Sequence, residues 1–130
     1  MIGYVATIKE SSRELTAKER IKFKDTSDAL SLDELTQENP FVFTPDLLVV
    51  LEVHNEKSDN KDYTKYIIVD KGGNKYVTGS ESFYSSYTEI MSEMADAIAD
   101  GEVVEDFEIC VYRKESKNYK GKSFITCSIV

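Results

Sequence analysis

The segment that most constrains the fold is an amphipathic stretch from Ser82 to Gly101. Its apolar residues recur at intervals of three and four, while its acids gather on the opposite side. This spacing predicts a helix. Ser80 or Ser82 can accept backbone N–H bonds at its start, and Gly101 can end it in a left-handed conformation. The apolar residues of this stretch are Phe83, Tyr87, Ile90, Met91, Met94 and Ile98.

Strand-like segments surround this predicted helix in a specific order. Three of them precede it, at residues 46–55, 63–69 and 75–78, and two follow it, at residues 107–112 and 124–130. The order β-β-β-α-β-β is that of an OB fold. We therefore predict a mainly β protein of one domain over residues 1–130. Residues 46–130 would form an OB-fold-like five-stranded antiparallel barrel with one core helix, and residues 1–45 an N-terminal β-containing arm.

The arm contains one ambiguous segment. Residues 3–8 read as a strand, but Thr16 and Glu19 match a capping box that would open a helix. Residues 18–24 alternate strictly between basic and other side chains, which favours a strand with its four bases on one face. We favour a strand over residues 20–24, followed by an ordered loop over 25–40 with a possible helical turn at 31–34. Prolines on both sides of residues 41–43 indicate an edge or packing segment.

Composition narrows the class of protein. The chain has 130 residues, 41% of them hydrophobic, which is enough for one sizeable core. No apolar run approaches the roughly 20 residues of a membrane span, and the N-terminus lacks a signal-peptide pattern. We expect a soluble, cytoplasmic protein, in the host cytoplasm if a phage encodes it.

Metal sites and catalysis find little support in the sequence. Cys110 and Cys127 read as small buried hydrophobes, and with a single histidine they are too few for a zinc site. His54 ends a strand without a nucleophile at a motif spacing, and Gly72 and Gly73 are too short a run to cradle a phosphate. We predict no enzyme activity, no metal and no cofactor.

The charge of the chain is segregated. The formal net charge is −8, and residues 81–108 hold nine acids without a lysine or arginine. Residues 113–122, by contrast, hold five bases and one acid. This basic run falls between the last two predicted strands, where an OB fold carries one of its oligonucleotide-binding loops.

Bases interleaved with aromatic rings suit single-stranded nucleic acid, because cations follow the phosphates and rings stack on bases. Tyrosines and lysines of the predicted strands join the basic run in this candidate site, and we expect Tyr76, Tyr112 and Tyr119 to be exposed. The basic strand at 18–24 is a possible addition. A solvated, lysine-rich hairpin tip is the alternative reading of the run. The candidate nucleic-acid-binding residues are Lys65, Lys75, Tyr76, Tyr112, Arg113, Lys114, Lys117, Tyr119, Lys120 and Lys122.

Three stretches of the chain resemble small single-stranded DNA-binding proteins of phages and mobile elements. They are residues 63–78, the helix start at 82–84 and the closing hairpin at 112–124. The resemblance implies an acidic protein with a basic groove that acts in replication or recombination. Such proteins commonly end in an acidic tail that recruits partners. This chain ends in a predicted strand, so residues 81–108 are the only evident substitute for contacts with replication or host proteins.

The leading expectation is a non-enzymatic protein that binds single-stranded DNA with little sequence preference. The main alternative is an acidic protein-interaction module, such as a phage-encoded inhibitor whose acids imitate a phosphate backbone. A third reading is a structural barrel within a virion or other assembly. The position of the acids in space separates the first two, because acids beside the 113–122 hairpin would repel DNA.

Overall fold

The computed structural model describes residues 3–118 and 121–130. These residues form eight strands and three helices, so the prediction of a mainly β protein with a core helix is confirmed. None of these helices is long and apolar enough to cross a membrane. In chain order the elements are β1 (Tyr4–Ser11), α1 (Ala17–Lys24), β2 (Leu30–Ser31), α2 (Leu32–Leu35), β3 (Phe41–Phe43), β4 (Pro45–Asn55), β5 (Asp62–Asp70), β6 (Lys75–Thr78), α3 (Glu81–Ala99), β7 (Ile109–Glu115) and β8 (Ser123–Ile129).

The chain divides into two compact units. The first comprises Met1–Ser31 and Asp46–Gly79, and the second comprises Leu32–Pro45 and Ser80–Val130. The first unit contains a five-stranded sheet in the order β1-β4-β5-β6-β2, and the second a three-stranded sheet in the order β3-β7-β8. The described strands thus pair into two sheets, and these pairings do not show a closed barrel. The assignment of residues 1–130 to a single domain stays a prediction.

In the first unit, β4 is the central strand of the core. Leu47 to Leu51 are all buried, so this part of the strand is covered on both faces, as its unbroken apolar run predicts. β1 pairs with β4 in antiparallel register from Tyr4 opposite Asn55 to Ser11 opposite Val49. Phe23 of α1 packs against the face that Val49 and its alternate neighbours present. The apolar face of β4 therefore holds α1 on the sheet.

The run Asp70-Lys71-Gly72-Gly73-Asn74 is typical of a tight turn, and the β5–β6 hairpin closes there. Asp70 accepts the backbone N–H of Asn74 at 2.8 Å and the hydroxyl of Tyr76 at 2.7 Å. Gly73 has a φ of 83°, a conformation that glycine adopts without strain. A buried carboxylate thus fixes both the turn and the first residues of β6.

The second unit is built on the β7–β8 hairpin. β3 lies at the edge of this sheet, with Phe41 opposite Val111 and Phe43 opposite Ile109, which confirms the edge position predicted from the two prolines. β7 begins at Ile109, two residues later than expected. The two cysteines are free, and they point to opposite faces because Cys127 pairs with Val111 and Cys110 with Ser128.

The long helix α3 is confirmed within one or two residues at each end. Ser80 caps it by accepting the N–H of Phe83 at 3.1 Å, and Gly101 follows its end with a φ of 91°. Phe83 and Tyr87 are fully buried, whereas Ile98, on the same side of the helix, is 59% exposed. Full burial is therefore confined to the first half of the predicted apolar face, and Ile90, Met91 and Met94 are partly buried.

The prediction of a strand at residues 20–24 is wrong, because this segment belongs to helix α1. Thr16 Oγ1 accepts the N–H of Glu19, and Glu19 returns a carboxylate oxygen to the N–H of Thr16, so the capping box forms in full. Phe23 is buried on the inner side of the helix. The capping box and the burial of Phe23 favour a helix more strongly than the alternation of charges favours a strand. The loop expected at 25–40 contains β2, which pairs in parallel with β6, and the short α2 at the place of the predicted helical turn.

The uneven burial of α3 gives a stability prediction. Phe83→Ala should lower the free energy of unfolding by about 3–5 kcal/mol, because it empties a filled core site. Ile98→Ala, at the exposed end of the same side, should change it by less than about 0.5 kcal/mol. Chemical denaturation followed by circular dichroism measures both, and equal effects would show that burial along α3 is assigned wrongly.

Candidate functional site

The ten residues predicted to bind nucleic acid divide between the two units. Lys65, Lys75 and Tyr76 lie on β5 and β6 of the first unit. Tyr119 and Lys120 fall outside the described residues. The remaining five lie on the β7–β8 hairpin of the second unit, and they are Tyr112, Arg113, Lys114, Lys117 and Lys122. Each group is therefore assessed by its own local contacts.

Lys75 is committed to the structure of the first unit. Its Nζ donates to the carbonyls of Lys22 and Asp25 at the end of α1, at 3.1 and 3.0 Å, and to Asp28 Oδ1 at 2.8 Å. It also lies 5.6 Å from the centre of the Phe23 ring. Its side chain is only 12% exposed. Lys75 thus neutralises the negative end of a helix and is not available to a phosphate.

Lys65 and Tyr76 are also held internally. Lys65 Nζ donates to Thr26 Oγ1 at 3.1 Å and lies 5.9 Å from the centre of the Tyr63 ring. Tyr76 is 4% exposed, so the expectation that it faces solvent is wrong. It pairs with Ile68, a fully buried residue, and therefore shares the buried face of the hairpin. Burial, followed by the hydrogen bond to Asp70, raises the pKa of its hydroxyl to about 12.

Arg113 lies on the inner face of the second unit's sheet. It stands opposite the buried Ile125. Its Nη2 donates to the carbonyl of Asp33 in α2 at 2.6 Å, and its Nη1 donates to Ser123 Oγ at 3.1 Å. This guanidinium ties α2 to the hairpin, so its predicted contact with a phosphate would require these bonds to break.

The other face of the β7–β8 hairpin carries a different set of side chains. Lys114 stands directly opposite Phe124, and Tyr112 stands opposite Thr126. Successive residues of a strand alternate between faces, so these four residues lie on the same face of the sheet. Tyr112 and Phe124 are half-buried and Lys114 is exposed. Tyr112 and Phe124 are diagonal neighbours across the two strands, a residue spacing of about 7–8 Å that aromatic side chains can bridge.

The hairpin continues this arrangement towards its tip. Ser116 donates its N–H to the carbonyl of Lys122 at 3.0 Å, which extends the register by one pair. Lys122 therefore falls on the same face as Lys114, and Lys117 follows in the turn. Both lysines are exposed. We call Tyr112, Lys114, Lys122 and Phe124, together with Lys117 of the adjoining turn, the hairpin face.

Phe124 is the member of this face that sequence reasoning missed. It was assigned only to the closing strand, because the alternation of β8 alone does not say which of its faces is open. The pairing of β7 with β8 identifies its face, because Phe124 stands directly opposite the exposed Lys114 and the two side chains therefore lie on the same side of the sheet. The α3 helix borders the same face at Thr126, where Ser86 Oγ lies 2.7 Å from Thr126 Oγ1.

Glu115 lies within the hairpin, on the same side of β7 as Arg113, and the acids that precede the hairpin in sequence lie at its far end. Residues 102–108 lead into β7 at Ile109, which pairs with Ile129, whereas the tip lies beyond Glu115 and Ser123. Six residue steps of antiparallel strand separate the two ends by roughly 20 Å. This distance exceeds the Debye length of about 8 Å at physiological ionic strength. The acids that precede β7 therefore do not cancel the positive charge of the tip.

A second cluster of ionisable groups surrounds His54 in the first unit. Its Nδ1 lies 2.7 Å from Asp62 Oδ1 and its Nε2 lies 2.6 Å from Glu56 Oε1. The hydrogen bonds to Asp62 and then to Glu56 raise the pKa of the imidazole above its ordinary value. Lys61 pairs with the other oxygen of Glu56 at 3.2 Å, and Lys9 pairs with the adjacent Glu52 at 3.3 Å.

This cluster is compensated in charge. Glu52, Glu56 and Asp62 face the cations of Lys9, Lys61 and protonated His54. Because both ring nitrogens already meet carboxylates, neither is directed at a nucleophile or a ligand. Among residues 3–118 and 121–130, no group of three or more His, Cys, Asp or Glu side chains is placed to hold a metal ion. The arrangement joins the end of β4 to the start of β5.

Comparisons with models of protein families, with curated proteins and with solved structures find no significant match to this chain. The resemblance to single-stranded DNA-binding proteins therefore stays a prediction.

The contrast between Lys75 and Lys114 gives a prediction about stability. Lys75→Met should lower the free energy of unfolding by about 1–3 kcal/mol, because it leaves helix-end carbonyls without their charged donor. Lys114→Met, at an exposed position, should change it by less than about 0.5 kcal/mol. Urea denaturation of the two variants measures the difference. Equal stabilities would contradict the internal role of Lys75.

The His54 cluster gives a prediction about pH. Because folding raises the pKa of His54, the bonds of the protonated imidazole to its carboxylates stabilise the folded state fully below the unfolded-state pKa. This stabilisation is lost as the pH rises through the folded-state pKa. NMR titration should give a His54 midpoint above 6.5, the ordinary value of the group. Asp62→Asn should lower that midpoint, and Asp59→Asn, an exposed control, should leave it unchanged. A wild-type midpoint at or below the ordinary value would contradict the geometry.

Proposed function

We propose that this protein binds single-stranded DNA, with little sequence preference and without catalysis, through the hairpin face. The observation that carries the proposal is the shared face of Tyr112, Lys114 and Phe124, which continues to Lys117 and Lys122 at the tip. Such a surface offers rings to bases and cations to phosphates at the same time. Single-stranded nucleic acid presents both groups, whereas duplex DNA keeps its bases stacked inside.

The two rings are suited to stacking on unpaired bases. Tyr112 and Phe124 are half-buried, so each ring is supported by the sheet and keeps part of its surface open. Stacking of one base on one such ring contributes about 1–3 kcal/mol. Every base has a planar face, which makes the interaction tolerant of sequence. The proposed lack of sequence preference follows from this tolerance.

The lysines supply the electrostatic part of binding. Lys114, Lys117 and Lys122 are exposed along one end of the hairpin. Three phosphate contacts to a single strand would give a log–log salt dependence with a slope of roughly −2. The net charge of −8 is compatible with this binding, because the acids that precede β7 lie at the other end of the hairpin.

The proposal depends on the three-stranded sheet of the second unit alone. We also propose the OB-like barrel that the order of strands and helix predicts, which would place this hairpin beside a groove. A role in phage or mobile-element replication or recombination likewise rests on the resemblance of the sequence. Neither is needed for the hairpin face to bind a single strand.

Two sets of variants test the proposal by fluorescence anisotropy over a range of salt concentrations. Replacing Lys114, Lys117 and Lys122 together with alanine should weaken binding to a labelled oligonucleotide and flatten the slope by about 0.7 per lost contact. Tyr112→Ala or Phe124→Ala should lower affinity by about 1–3 kcal/mol at every salt concentration and leave the slope unchanged. Lys57→Ala, an exposed lysine of the first unit, serves as the matched control.

The wild-type protein gives the contradicting outcome. Absence of binding to single-stranded DNA at about 50 mM salt, where phosphate contacts are strongest, would overturn the proposal. Equal affinity for single-stranded and duplex DNA would overturn the stacking part. If the protein does not bind single-stranded DNA, the acidic surface of residues 81–108 becomes the better candidate for a binding site. All nine of its acids are exposed, which suits a protein partner.

A further inference from the structure

The outer face of helix α1 is held in place by contacts at both ends of the helix. At the start, Arg13 Nη2 bonds Glu19 Oε2 at 2.8 Å, and Glu19 also completes the capping box with Thr16. At the end, Lys75 Nζ donates to the carbonyls of Lys22 and Asp25. The helix has only eight residues, too few to be stable alone. These contacts therefore hold the short helix α1, and with it the outer face of the helix, in a defined position.

That outer face carries an exposed apolar residue with three lysines around it, and the acidic Asp25 caps the end of the helix beside it. Ile21 is 72% exposed. At 3.6 residues per turn, Lys18 and Lys22 lie on one side of Ile21 and Lys24 lies on the other. None of these three lysines has an ion pair among the residues that the structure describes. We call Lys18, Ile21, Lys22 and Lys24 the α1 face.

Grooves on both sides make Ile21 a ridge rather than an isolated exposed side chain. One groove, of about 570 Å³, runs between Ile21 and the side chains of Tyr4 and Ala6 on β1. The other, of about 610 Å³, lies between Ile21 and the side chains of Phe23 and Val69. The linings of these grooves also include the carboxylates of Glu19, Asp25 and Asp28, of which Glu19 pairs with Arg13 and Asp28 with Lys75. A single exposed isoleucine is ordinary, but a ridge with flanking grooves and three exposed lysines beside it has the form of a docking surface.

The same chain carries a segment of complementary chemistry. Val103 is 88% exposed and lies in the irregular stretch between α3 and β7. Glu102, Glu105 and Asp106 beside it are all exposed. We call residues 102–106 the acidic segment. It presents one exposed apolar side chain, Val103, among exposed carboxylates, which complements the exposed Ile21 among lysines on the α1 face.

We propose that the α1 face of one copy of this protein binds the acidic segment of a second copy. Ile21 would contact Val103, and the lysines would pair with Glu102, Glu105 and Asp106. The two surfaces differ, so the contact is heterologous. In an open chain of copies, one end copy keeps an unused α1 face and the other keeps an unused acidic segment. A phosphate backbone would satisfy the lysines but would leave Ile21 without an apolar partner.

Ionic strength decides whether the attraction exceeds the repulsion between copies. Each copy has a net charge of −8, which acts over long distances. At 0.15 M salt the Debye length is about 8 Å, so this long-range repulsion is largely screened while ion pairs in contact persist. At 1 M it is about 3 Å, and exposed pairs weaken as well. The association is therefore expected at physiological salt and should be lost at high salt.

Sedimentation equilibrium of the full chain tests the proposal. The weight-average mass should rise with protein concentration up to about 1 mM at 0.15 M salt, since a contact of this small size belongs to the weak class. It should return to the monomer mass at 1 M salt. Ile21→Ser should reduce the association, whereas Val5→Ser, at another exposed apolar position, should leave it unchanged.

Charge reversal gives the sharper control. One variant carries Lys18→Glu, Lys22→Glu and Lys24→Glu, and the other carries Glu102→Lys and Glu105→Lys. Each alone should remain a monomer, because like charges then meet at the contact. An equimolar mixture should recover association, although both variants remain net negative. Circular dichroism and the melting temperature confirm that each variant is folded.

Three results would overturn the proposal. One is a monomeric wild-type protein at all concentrations, and another is association that both reversed variants retain. The third is a monomeric wild type whose lysine-reversed variant loses affinity for a single-stranded oligonucleotide, which would make the α1 face a phosphate-binding surface. Binding of DNA by the hairpin face is measured with separate variants, so the two proposals succeed or fail independently.

Discussion

The proposed function depends on one constraint, the pairing register of β7 and β8. With Val111 opposite Cys127 and Arg113 opposite Ile125, the apolar side chains of both strands face inward. Tyr112, Lys114 and Phe124 then face outward together. A shift of one residue would exchange the two faces, burying a lysine and exposing the core. Burial of Ile109, Val111, Ile125 and Cys127 therefore determines which side chains the hairpin can offer to a ligand.

The positive charges of this acidic protein serve two purposes. Lys75, Lys65 and Arg113 donate to protein groups and help to position α1, the segment near Thr26, and α2. Lys114, Lys117 and Lys122 remain exposed on the hairpin. This division follows from burial, because a lysine or arginine removed from water needs hydrogen-bond acceptors to offset its desolvation. Composition alone does not separate the two groups.

Local signals in the sequence were sufficient for several elements. The apolar spacing and the serine cap predict α3, the Asp70–Asn74 turn predicts the β5–β6 hairpin, and the unbroken apolar run predicts the two-sided burial of β4. These features depend on neighbouring residues, so the chain itself carries the information. The first element of the second sheet, β3, was placed at an edge by its flanking prolines.

Long-range contacts explain what the sequence did not predict. α1 is fixed by Lys75, which is distant in sequence, and so the alternation of its charges was misleading. Tyr76 is buried because β6 pairs with β5 in one register, a choice that strand periodicity leaves open. Phe124 was missed for the same reason on β8. The pairing of β1 with β4 joins segments separated by two helices and two short strands, which no local pattern indicates.

The most direct test of the account is an NMR titration of the isotopically labelled protein with a single-stranded oligonucleotide at about 50 mM salt, where phosphate contacts are strong. Changes in backbone amide shifts are expected to concentrate at residues 112–117 and 122–126, and to diminish as salt is raised. Changes centred on α1 or on residues 81–108, with none on the β7–β8 hairpin, would contradict the assignment of the hairpin face.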